Sequence, residues 1–365
     1  MMKAIRLLSV LAGALALALF ISLGCGDDNS VVGPRKDGPP GRLFTLNQAD
    51  ATMFVFDTKT MAVIDTVDTR VKKPHYIEFS PDGQFFYIVT LETTGHLAKF
   101  DAATYAFIDS VMTPPGVQPT AIAITSDSKF GYVCNFSLAT QRTLIHKFDL
   151  ATLQTVGSAL AGAMTHDIKI TGDGSVVIAC NRFSDDLTLL YPGPDTVVFV
   201  SIDPDSLYPV GSNKYGPFGV AVDHRDSLAF IACMDALQVR VLDIGARRIV
   251  DSIDIPVDTT GFIYGPTLLA VSPDNDLVYL TTRGGNTVVV FRVSTMTVLA
   301  QIPLSVPYPF GIDISDDGSM VYVACVNTPT KQGRIYAIDG VTFAKVDSVD
   351  VGGESFGLAW RPLVP

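Results

Sequence analysis

The chain has 365 residues, of which 48% are hydrophobic and 17% are charged, and its formal net charge is −11. This composition supplies enough apolar residues for a large core and is not typical of a disordered chain. The acidic balance includes no stripe rich in Lys and Arg that would bind a phosphate backbone. We therefore expect no nucleic-acid partner.

The N-terminus has the pattern of a targeting segment. Lys3 and Arg6 precede an almost wholly apolar run over residues 7–23, and the sequence continues as SLGCGDD. A basic region, an apolar region and a small residue before the cleavage point are typical of a secretory signal. The cysteine in this stretch resembles the attachment site of bacterial lipoprotein signals. That resemblance implies a signal peptide over 1–24 and a lipid on Cys25, with an ordinary secretory signal as the alternative.

The stretch that follows the cysteine predicts a flexible tether. Residues 25–40 are rich in Gly, Pro and Asp and show no periodicity, which is typical of a linker. We expect it to hold a folded domain, residues 41–365, away from a membrane surface in the bacterial cell envelope. The membrane contact would be made by the lipid on Cys25, on the periplasmic or the outer side.

A hairpin pattern then recurs six times, at spacings of 43 to 52 residues. Each copy has two apolar runs joined by a turn such as Ser-Pro-Asp-Gly, in which Pro and Gly suit the backbone angles of a tight turn. A third and a fourth apolar run follow each hairpin. Four short strands in each unit of about 45 residues are typical of a β-propeller blade.

The two ends of this domain predict a seventh blade. The C-terminal sequence SFGLAWRPLVP has the pattern of a first strand, and the runs GRLFTLN, TMFVFDT and AVIDTV near residue 41 have the pattern of the other three. Pairing them would close the ring and remove the free sheet edges. The predicted fold is an all-β, seven-bladed propeller closed by one C-terminal and three N-terminal strands.

Several second-strand sequences carry a resemblance to a known family. YVCN at 132–135, IACN at 178–181 and FTLN at 44–47 resemble the YVTN β-propeller repeat. This resemblance extends over nearly all of residues 41–365 and implies a cell-surface or periplasmic propeller. Related seven-bladed folds include lactonases, but the fold alone does not select a function.

The first strands predict a charged group at the centre of the ring. Because side chains alternate along a strand, one column of each first strand is expected to face the channel. This column holds four Ala together with Glu78, Lys169 and Asp313, and one pleat earlier it holds Tyr76 and Asp167. We expect these charges to form either a ligand site or an internal network of ion pairs.

Two histidines, His75 and His166, precede the first strands of the first and third blades. By alternation they belong to the apolar face, but a bend at the strand start would bring them to the channel mouth beside Glu78 and Asp167. There they would supply a His/carboxylate set for lactone hydrolysis, with Glu78, His75 and His166 as candidate catalytic residues. A divalent cation is possible at Glu78 and Asp167, although we expect no cofactor.

Aromatic residues on the connections offer a different kind of site. The segment 181–195 is predicted as a long loop that carries Tyr191, and three further connections carry Tyr215, Tyr264 and Tyr308. We expect these rings to lie on one face of the propeller, around the channel mouth. Tyrosine rings on a rigid rim suit the binding of a protein, a peptide or a glycan.

These patterns favour a binding or scaffold propeller of the cell envelope, most simply a monomer, over an enzyme. The alternatives are a lactonase-type hydrolase and a structural envelope protein without a small ligand. Cysteines in four separate second strands are expected to be buried free thiols, because stacked sheets lie about 10 Å apart and a disulfide needs closer approach. They are Cys134, Cys180, Cys233 and Cys325.

Overall fold

The computed structural model describes residues 38–114, 118–137, 141–203, 214–256, 265–326 and 332–363. Within these ranges, 28 strands form seven four-stranded antiparallel sheets. None of the described residues belongs to a helix long and apolar enough to cross a membrane. The predicted signal peptide, Cys25 and most of the predicted tether lie outside the described residues.

Each sheet is one blade, and we number the blades in chain order from 1 to 7, with the closing blade last. Blade 7 contains β1 (Gly41–Asn47), β2 (Thr52–Asp57), β3 (Ala62–Asp68) and β28 (Ser355–Pro362). Blade 1 contains β4 (Pro74–Phe79), β5 (Phe85–Thr90), β6 (His96–Asp101) and β7 (Phe107–Met112). Blade 2 contains β8 (Gln118–Ile124), β9 (Phe130–Phe136), β10 (Arg142–Asp149) and β11 (Gln154–Ala163).

The remaining four blades repeat this order. Blade 3 contains β12 (Thr165–Ile170), β13 (Val177–Asn181), β14 (Asp186–Tyr191) and β15 (Thr196–Ser201). Blade 4 contains β16 (Pro217–Val222), β17 (Leu228–Cys233), β18 (Gln238–Asp243) and β19 (Arg248–Asp254). Blade 5 contains β20 (Pro266–Val271), β21 (Leu277–Thr282), β22 (Thr287–Arg292) and β23 (Thr297–Pro303). Blade 6 contains β24 (Pro309–Ile314), β25 (Met320–Cys325), β26 (Gln332–Asp339) and β27 (Lys345–Gly352).

The first strand of every blade lies at the centre of a closed ring. Consecutive first strands contact one another from β4 through β8, β12, β16, β20 and β24 to β28, and β28 contacts β4. In blade 7, β28 pairs with β1 in the order β28-β1-β2-β3. The predicted seven blades and their closure by one C-terminal and three N-terminal strands are therefore confirmed.

The core of the protein lies between neighbouring blades. Phe44 of blade 7 packs on Phe79 and Phe86 of blade 1, with ring centroids 4.9 and 6.1 Å apart. All three side chains are at most 4% exposed. Each blade thus buries its two faces only against its neighbours, which explains why one hairpin pattern recurs around the ring.

The Ser-Pro-Asp-Gly sequence has the structural role that its composition predicts. The Ser80 hydroxyl donates to the Asp82 carboxylate at 2.6 Å, the same carboxylate accepts the backbone N–H of Gln84 at 3.0 Å, and Gly83 has a φ of 70°. Glycine adopts this left-handed conformation without the steric cost of a Cβ atom. The aspartate therefore stabilises the turn between the first and second strands.

Each first strand has an irregularity near its N-terminal end. In β4 the register passes from Pro74↔Thr90 directly to Tyr76↔Val89, so that His75 is an extra residue with no partner on β5. Equivalent register shifts occur in the other six blades. A bulge of this kind bends a strand and redirects the side chain that it carries, and here it acts at the channel mouth.

Candidate functional site

Five aromatic rings close one end of the central channel, and we call them the ring plug. They come from five different blades: His75, His166, Phe218, Phe310 and Phe356. The centroids of His166 and Phe218 lie 3.5 Å apart, those of His75 and Phe356 5.1 Å apart, and those of His75 and His166 6.0 Å apart. Rings from blades around the whole circle meet only near its axis, and all five are at most 8% exposed.

The histidines of the ring plug do not follow the strict alternation of side chains that is expected along a strand. Strict alternation predicted that His75 and His166 face the neighbouring blades, and only a bend would turn them inward. The bulge at each strand start supplies that bend. The two histidines therefore reach the channel mouth, as that alternative required, but they pack on phenylalanines there.

Both histidines are held neutral by their surroundings. Burial lowers the pKa of His75 to about 4, and the charge of Arg283 acts in the same direction. Burial also lowers the pKa of His166 well below its usual range. Nδ1 of His75 lies 3.2 Å from the side-chain amide nitrogen of Gln48, whereas Nδ1 of His166 has no hydrogen-bond partner among the described residues.

Beneath the ring plug the channel widens into a cavity of about 520 Å³. Its walls follow the first strands from His75 and Phe356 to the turns after those strands, where the exposed residues His224 and Asp316 form a rim. The cavity therefore opens at the face that carries the turns between first and second strands. The expected mouth on the opposite face is closed, because the ring plug fills it.

Three polar side chains from blades 1 and 3 meet in this cavity, and we call them the polar cluster. The ammonium group of Lys169 donates to the hydroxyl oxygen of Tyr76 at 2.5 Å and lies 3.5 Å from Oε2 of Glu78. The Tyr76 hydroxyl lies 3.5 Å from the same carboxylate oxygen. The side chains of Lys169 and Glu78 are 34% and 27% exposed, so they remain accessible to a ligand inside the cavity.

The electrostatics of the polar cluster keep Lys169 charged. Burial acts against the ammonium form, but Tyr76, Glu78 and Asp167 together raise the pKa of Lys169 well above its usual range. Burial raises the pKa of the Tyr76 phenol, which therefore stays protonated. The alanines of blade 2 make room for this contact, because Ala121 and Ala123 leave the space between blades 1 and 3 to the longer side chains.

The other two predicted site carboxylates bind backbone amides. Asp167 accepts the N–H groups of Ile168 and Val220 at 2.9 and 3.0 Å. Asp313 accepts those of Ile314 and Trp360 at 2.9 and 2.7 Å. A first strand has no partner on its inner side, so these carboxylates satisfy N–H groups that would otherwise be unpaired. Each one also ties its blade to the next.

Burial affects both of these carboxylates despite their hydrogen bonds. It raises the pKa of Asp313 to about 6 and raises the pKa of Asp167 above its usual range. Across the described residues, no group of three or more His, Cys, Asp and Glu side chains is arranged to hold a metal ion. Of the two metal candidates, Glu78 faces Lys169 and Asp167 faces backbone amides.

The predicted aromatic rim is not assembled as expected. The segment 181–195 is not one long loop, because it contains strand β14. That expectation is wrong, and the error displaces Tyr191. It pairs with Thr196 at the far end of β14, on the face where the cavity opens, with the guanidinium of Arg247 4.6 Å from the centre of its ring.

The other predicted tyrosines have separate surroundings. Tyr215 is only 8% exposed, packs in the core between blades 3 and 4 and donates its hydroxyl hydrogen to Asp203 at 2.7 Å. Tyr308 is half-buried against the ring plug. Tyr264 lies outside the described residues. The structure therefore brings together Tyr76, Glu78 and Lys169, and does not bring together the three described tyrosines, Tyr191, Tyr215 and Tyr308.

The cysteine prediction is confirmed for the four second-strand residues. All four are buried and free. Burial raises the pKa of each thiol, to about 12 in the case of Cys134. Groups of this kind contribute to packing and are not reactive thiols.

The architecture defines the class of the protein as a seven-bladed β-propeller with one closed and one open channel end. A family model described as "Lactonase, 7-bladed beta-propeller" matches residues 254–344. That stretch includes β20 and β24, two first strands that line the cavity. No curated protein sequence matches the chain at a significant level.

Solved structures with the same fold are varied in what they do. The hydrazine synthase of Kuenenia stuttgartiensis is 20% identical, with a TM-score of 0.57 over 72% of this chain and 76% of that chain. The Swd1 β-propeller domain of Myceliophteria thermophila is 12% identical, with a TM-score of 0.62 over 80% of this chain and 94% of that chain. The dihydro-heme d1 dehydrogenase NirN is 14% identical, with a TM-score of 0.59 over 89% of this chain and 76% of that chain. Likeness at this level shows the fold alone.

Two features of the site were missed from the sequence. Tyr76 was in the predicted channel column but was not among the predicted site residues, although it lies two residues before Glu78 on the same side of the strand. Arg361 lines the cavity with its guanidinium 4.6 Å from the ring centre of Phe79. It lies on β28 two residues after Ala359, so the same alternation would have placed it in the channel column.

Proposed function

We propose that this protein is an envelope-anchored propeller that binds a small molecule in its central cavity. The observation that carries the proposal is the polar cluster, an ammonium group, a phenol and a carboxylate that meet inside a cavity with one open end. A volume of about 520 Å³ falls in the range of roughly 300–1,000 Å³ that is usual for small-ligand sites. A folded protein partner does not fit such a cavity.

The placement of the aromatic residues favours the cavity over a binding rim for a protein, peptide or glycan. Tyr191 and Tyr215 belong to opposite ends of the blades, and Tyr215 and Tyr308 pack against the protein itself. A binding role outside the cytoplasm, as expected from the sequence, remains part of the proposal. Lipid attachment at Cys25 is part of the proposal, and palmitate labelling that Cys25→Ala abolishes is its test.

The position of Trp360 provides a binding assay that supplements calorimetry. It is the only tryptophan in the chain; its backbone N–H binds Asp313 at the cavity wall, and its indole packs behind that wall in the core between blades 6 and 7. We expect its fluorescence to change when acetate, gluconate, γ-butyrolactone or glucono-δ-lactone enters the cavity. Lys169→Met removes the ammonium group and should abolish the change. Lys129→Met, on an exposed turn, is the matched control and should bind as the wild type does.

Two results would contradict the proposal. If a probe binds and its affinity is the same for the wild type and Lys169→Met, the polar cluster is not the binding site. If isothermal titration calorimetry detects no binding of small carboxylates and lactones at millimolar concentrations, the cavity is not a site for this class of ligand.

Lactone hydrolysis is a second candidate, favoured by the family model that matches residues 254–344. In this mechanism Glu78 takes a proton from water while the water oxygen bonds to the lactone carbonyl carbon. Lys169 donates a hydrogen bond to the carbonyl oxygen as it gains negative charge. The ring C–O bond then breaks, and the leaving oxygen takes the proton from Glu78, so that lactone and water become a hydroxy acid.

Turnover separates the two candidates. A general base typically contributes a factor of about 10²–10⁴ to the rate, so Glu78→Gln should reduce acid release from a lactone by at least 100-fold while Trp360 still reports binding. Because His75 and His166 pack in the ring plug, His166→Phe should leave the rate at neutral pH nearly unchanged. Equal hydrolysis by wild type and Glu78→Gln would leave binding as the function of the cavity.

A further inference from the structure

The cavity has two chemically different walls. The polar cluster lies on the side of blades 1 and 3, with blade 2 behind it. Across the channel, the first strands of blades 4 and 5 contribute apolar side chains, among them Val222, Leu268 and Ala270. These three line the cavity and are only half-buried, and Val222 also packs on the core between blades 3 and 4.

The remaining charges of the cavity do not alter this contrast. Arg361, at the end of β28, extends toward blade 1, with its guanidinium 4.6 Å from the ring centre of Phe79, and so adds to the polar side. Asp313, on blade 6 beside the apolar wall, accepts two backbone N–H groups. Ile312 and Leu358 extend the apolar wall into blades 6 and 7, and both are half-buried. The exposed polar residues His224 and Asp316 lie at the open rim. A ligand inside the cavity therefore meets polar groups on one side and methyl groups on the other.

From this arrangement we infer that the ligand is an amphiphile, with a carboxylate or lactone head group at the polar cluster and an unbranched alkyl chain against the wall formed by Val222, Leu268 and Ala270. The inference deepens the proposed binding function and depends on it. A sugar acid or sugar lactone has hydroxyl groups all around its ring, and these would lose their hydrogen bonds to water against methyl groups. An alkyl chain has no such groups and removes apolar surface from water instead.

The physical consequence is a dependence of affinity on chain length. Each methylene group that moves from water to an apolar wall contributes about 0.8 kcal/mol, which is about a fourfold decrease in Kd. The decrease should continue along a homologous series until the chain fills the cavity. A purely polar site would give no such series, because its affinity would depend on the head group alone.

The test is a calorimetric titration of the full-length protein with γ-butyrolactone, γ-octalactone, γ-decalactone and glucono-δ-lactone, with the fluorescence of Trp360 as a second readout. Octanoate and decanoate repeat it with a carboxylate head group. We expect Kd to fall about fourfold for each added methylene and glucono-δ-lactone to bind more weakly than γ-octalactone. Val222→Thr, which keeps the side-chain shape and adds a hydroxyl to the wall, should weaken γ-decalactone severalfold and leave γ-butyrolactone unchanged.

Val250→Thr is the matched control for this substitution. Val250 lies on the outer strand β19 and is 42% exposed, so the same change there should leave every Kd unaltered. If glucono-δ-lactone binds as tightly as γ-decalactone, or if chain length has no effect, the amphiphile inference is wrong while the binding function stands. Binding that is unaffected by Lys169→Met would overturn the binding function itself.

Discussion

His75 should make the propeller sensitive to mild acid, and its replacement by Phe should remove that sensitivity. The substitution is conservative in shape, because blades 4, 6 and 7 carry Phe218, Phe310 and Phe356 in the same part of the ring plug. His75→Phe leaves the side-chain amide of Gln48 without the ring nitrogen that lies 3.2 Å from it. Loss of one such hydrogen bond costs about 1 kcal/mol at neutral pH.

The direction of the pH effect follows from the lowered pKa. The folded protein holds His75 at a pKa of about 4 instead of the usual 6.5. Between these values the unfolded chain binds a proton that the folded chain does not, so stability falls as pH decreases from neutral toward 4. The loss due to His75 is roughly 2 kcal/mol at pH 5 and about 3 kcal/mol below pH 4.

The two effects combine into a crossover. Near pH 7.5 the wild type should be the more stable protein, by about 1 kcal/mol, because it retains the contact with Gln48. At pH 5 the order should reverse, since the variant does not lose the roughly 2 kcal/mol that protonation of His75 removes. Titrating groups remote from the ring plug act on both proteins alike, and the comparison cancels them. The charge of His75 helps to lower the pKa of His166, so its removal should reduce the acid sensitivity due to His166 as well and act in the same direction.

Urea unfolding of both proteins at pH 5 and pH 7.5 measures the effect, with Trp360 emission and circular dichroism as probes and equal m-values as the check on two-state behaviour. Phe356→Leu serves as a control, because it alters the same ring plug without a titrating group and should cost the same at both pH values. If His75→Phe loses as much stability between pH 7.5 and pH 5 as the wild type does, His75 is not neutral in the folded protein. The reasoning about the ring plug would then fail.

Three further predictions concern contacts between blades. Asp313→Asn leaves one acceptor oxygen for two backbone N–H groups, so unfolding free energy should fall by about 1–3 kcal/mol, and an unchanged urea midpoint would contradict this role. Gly219→Ala places a Cβ atom against the backbone oxygen of Thr267 in blade 5 and should lower the melting temperature through overpacking that costs about 1–3 kcal/mol. Gly193→Ala, where the structure is open, should not. Arg182→Met removes the partly buried pair with Asp235, whose two contacts are 3.0 and 2.9 Å, and should cost about 1.5–3 kcal/mol. A double variant that loses much more than this would refute the pairing.

The blade count could be predicted because it depends on local pattern and on repetition. Each hairpin has alternating apolar residues and a turn whose composition dictates its shape, as Ser80, Asp82 and Gly83 illustrate. Six copies and two complementary ends leave one simple closure, in which β28 pairs with β1. The buried thiols followed from the same reasoning, because equivalent strands of separate blades are too far apart for a disulfide.

Some of the residues that line the cavity could be predicted from the sequence. Alternation along the first strands correctly placed Glu78, Lys169 and Asp313 in the channel. It did not show that Tyr76 joins Lys169 across the alanines of blade 2, because that contact spans two blades. Tyr191 was misplaced because a short connection followed by β14 was read as one long loop.

By itself, the sequence determined the repeat, the strands, the turns and the way the ring closes, since each depends on neighbouring residues or on the periodicity of the chain. Only the tertiary structure decided which end of the channel is open. That outcome depends on five of the seven bulges, which redirect His75, His166 and three phenylalanines toward one axis, and on the radius at which seven blades meet. Neither is a property of any single strand, because both arise from the packing of all the blades around the ring.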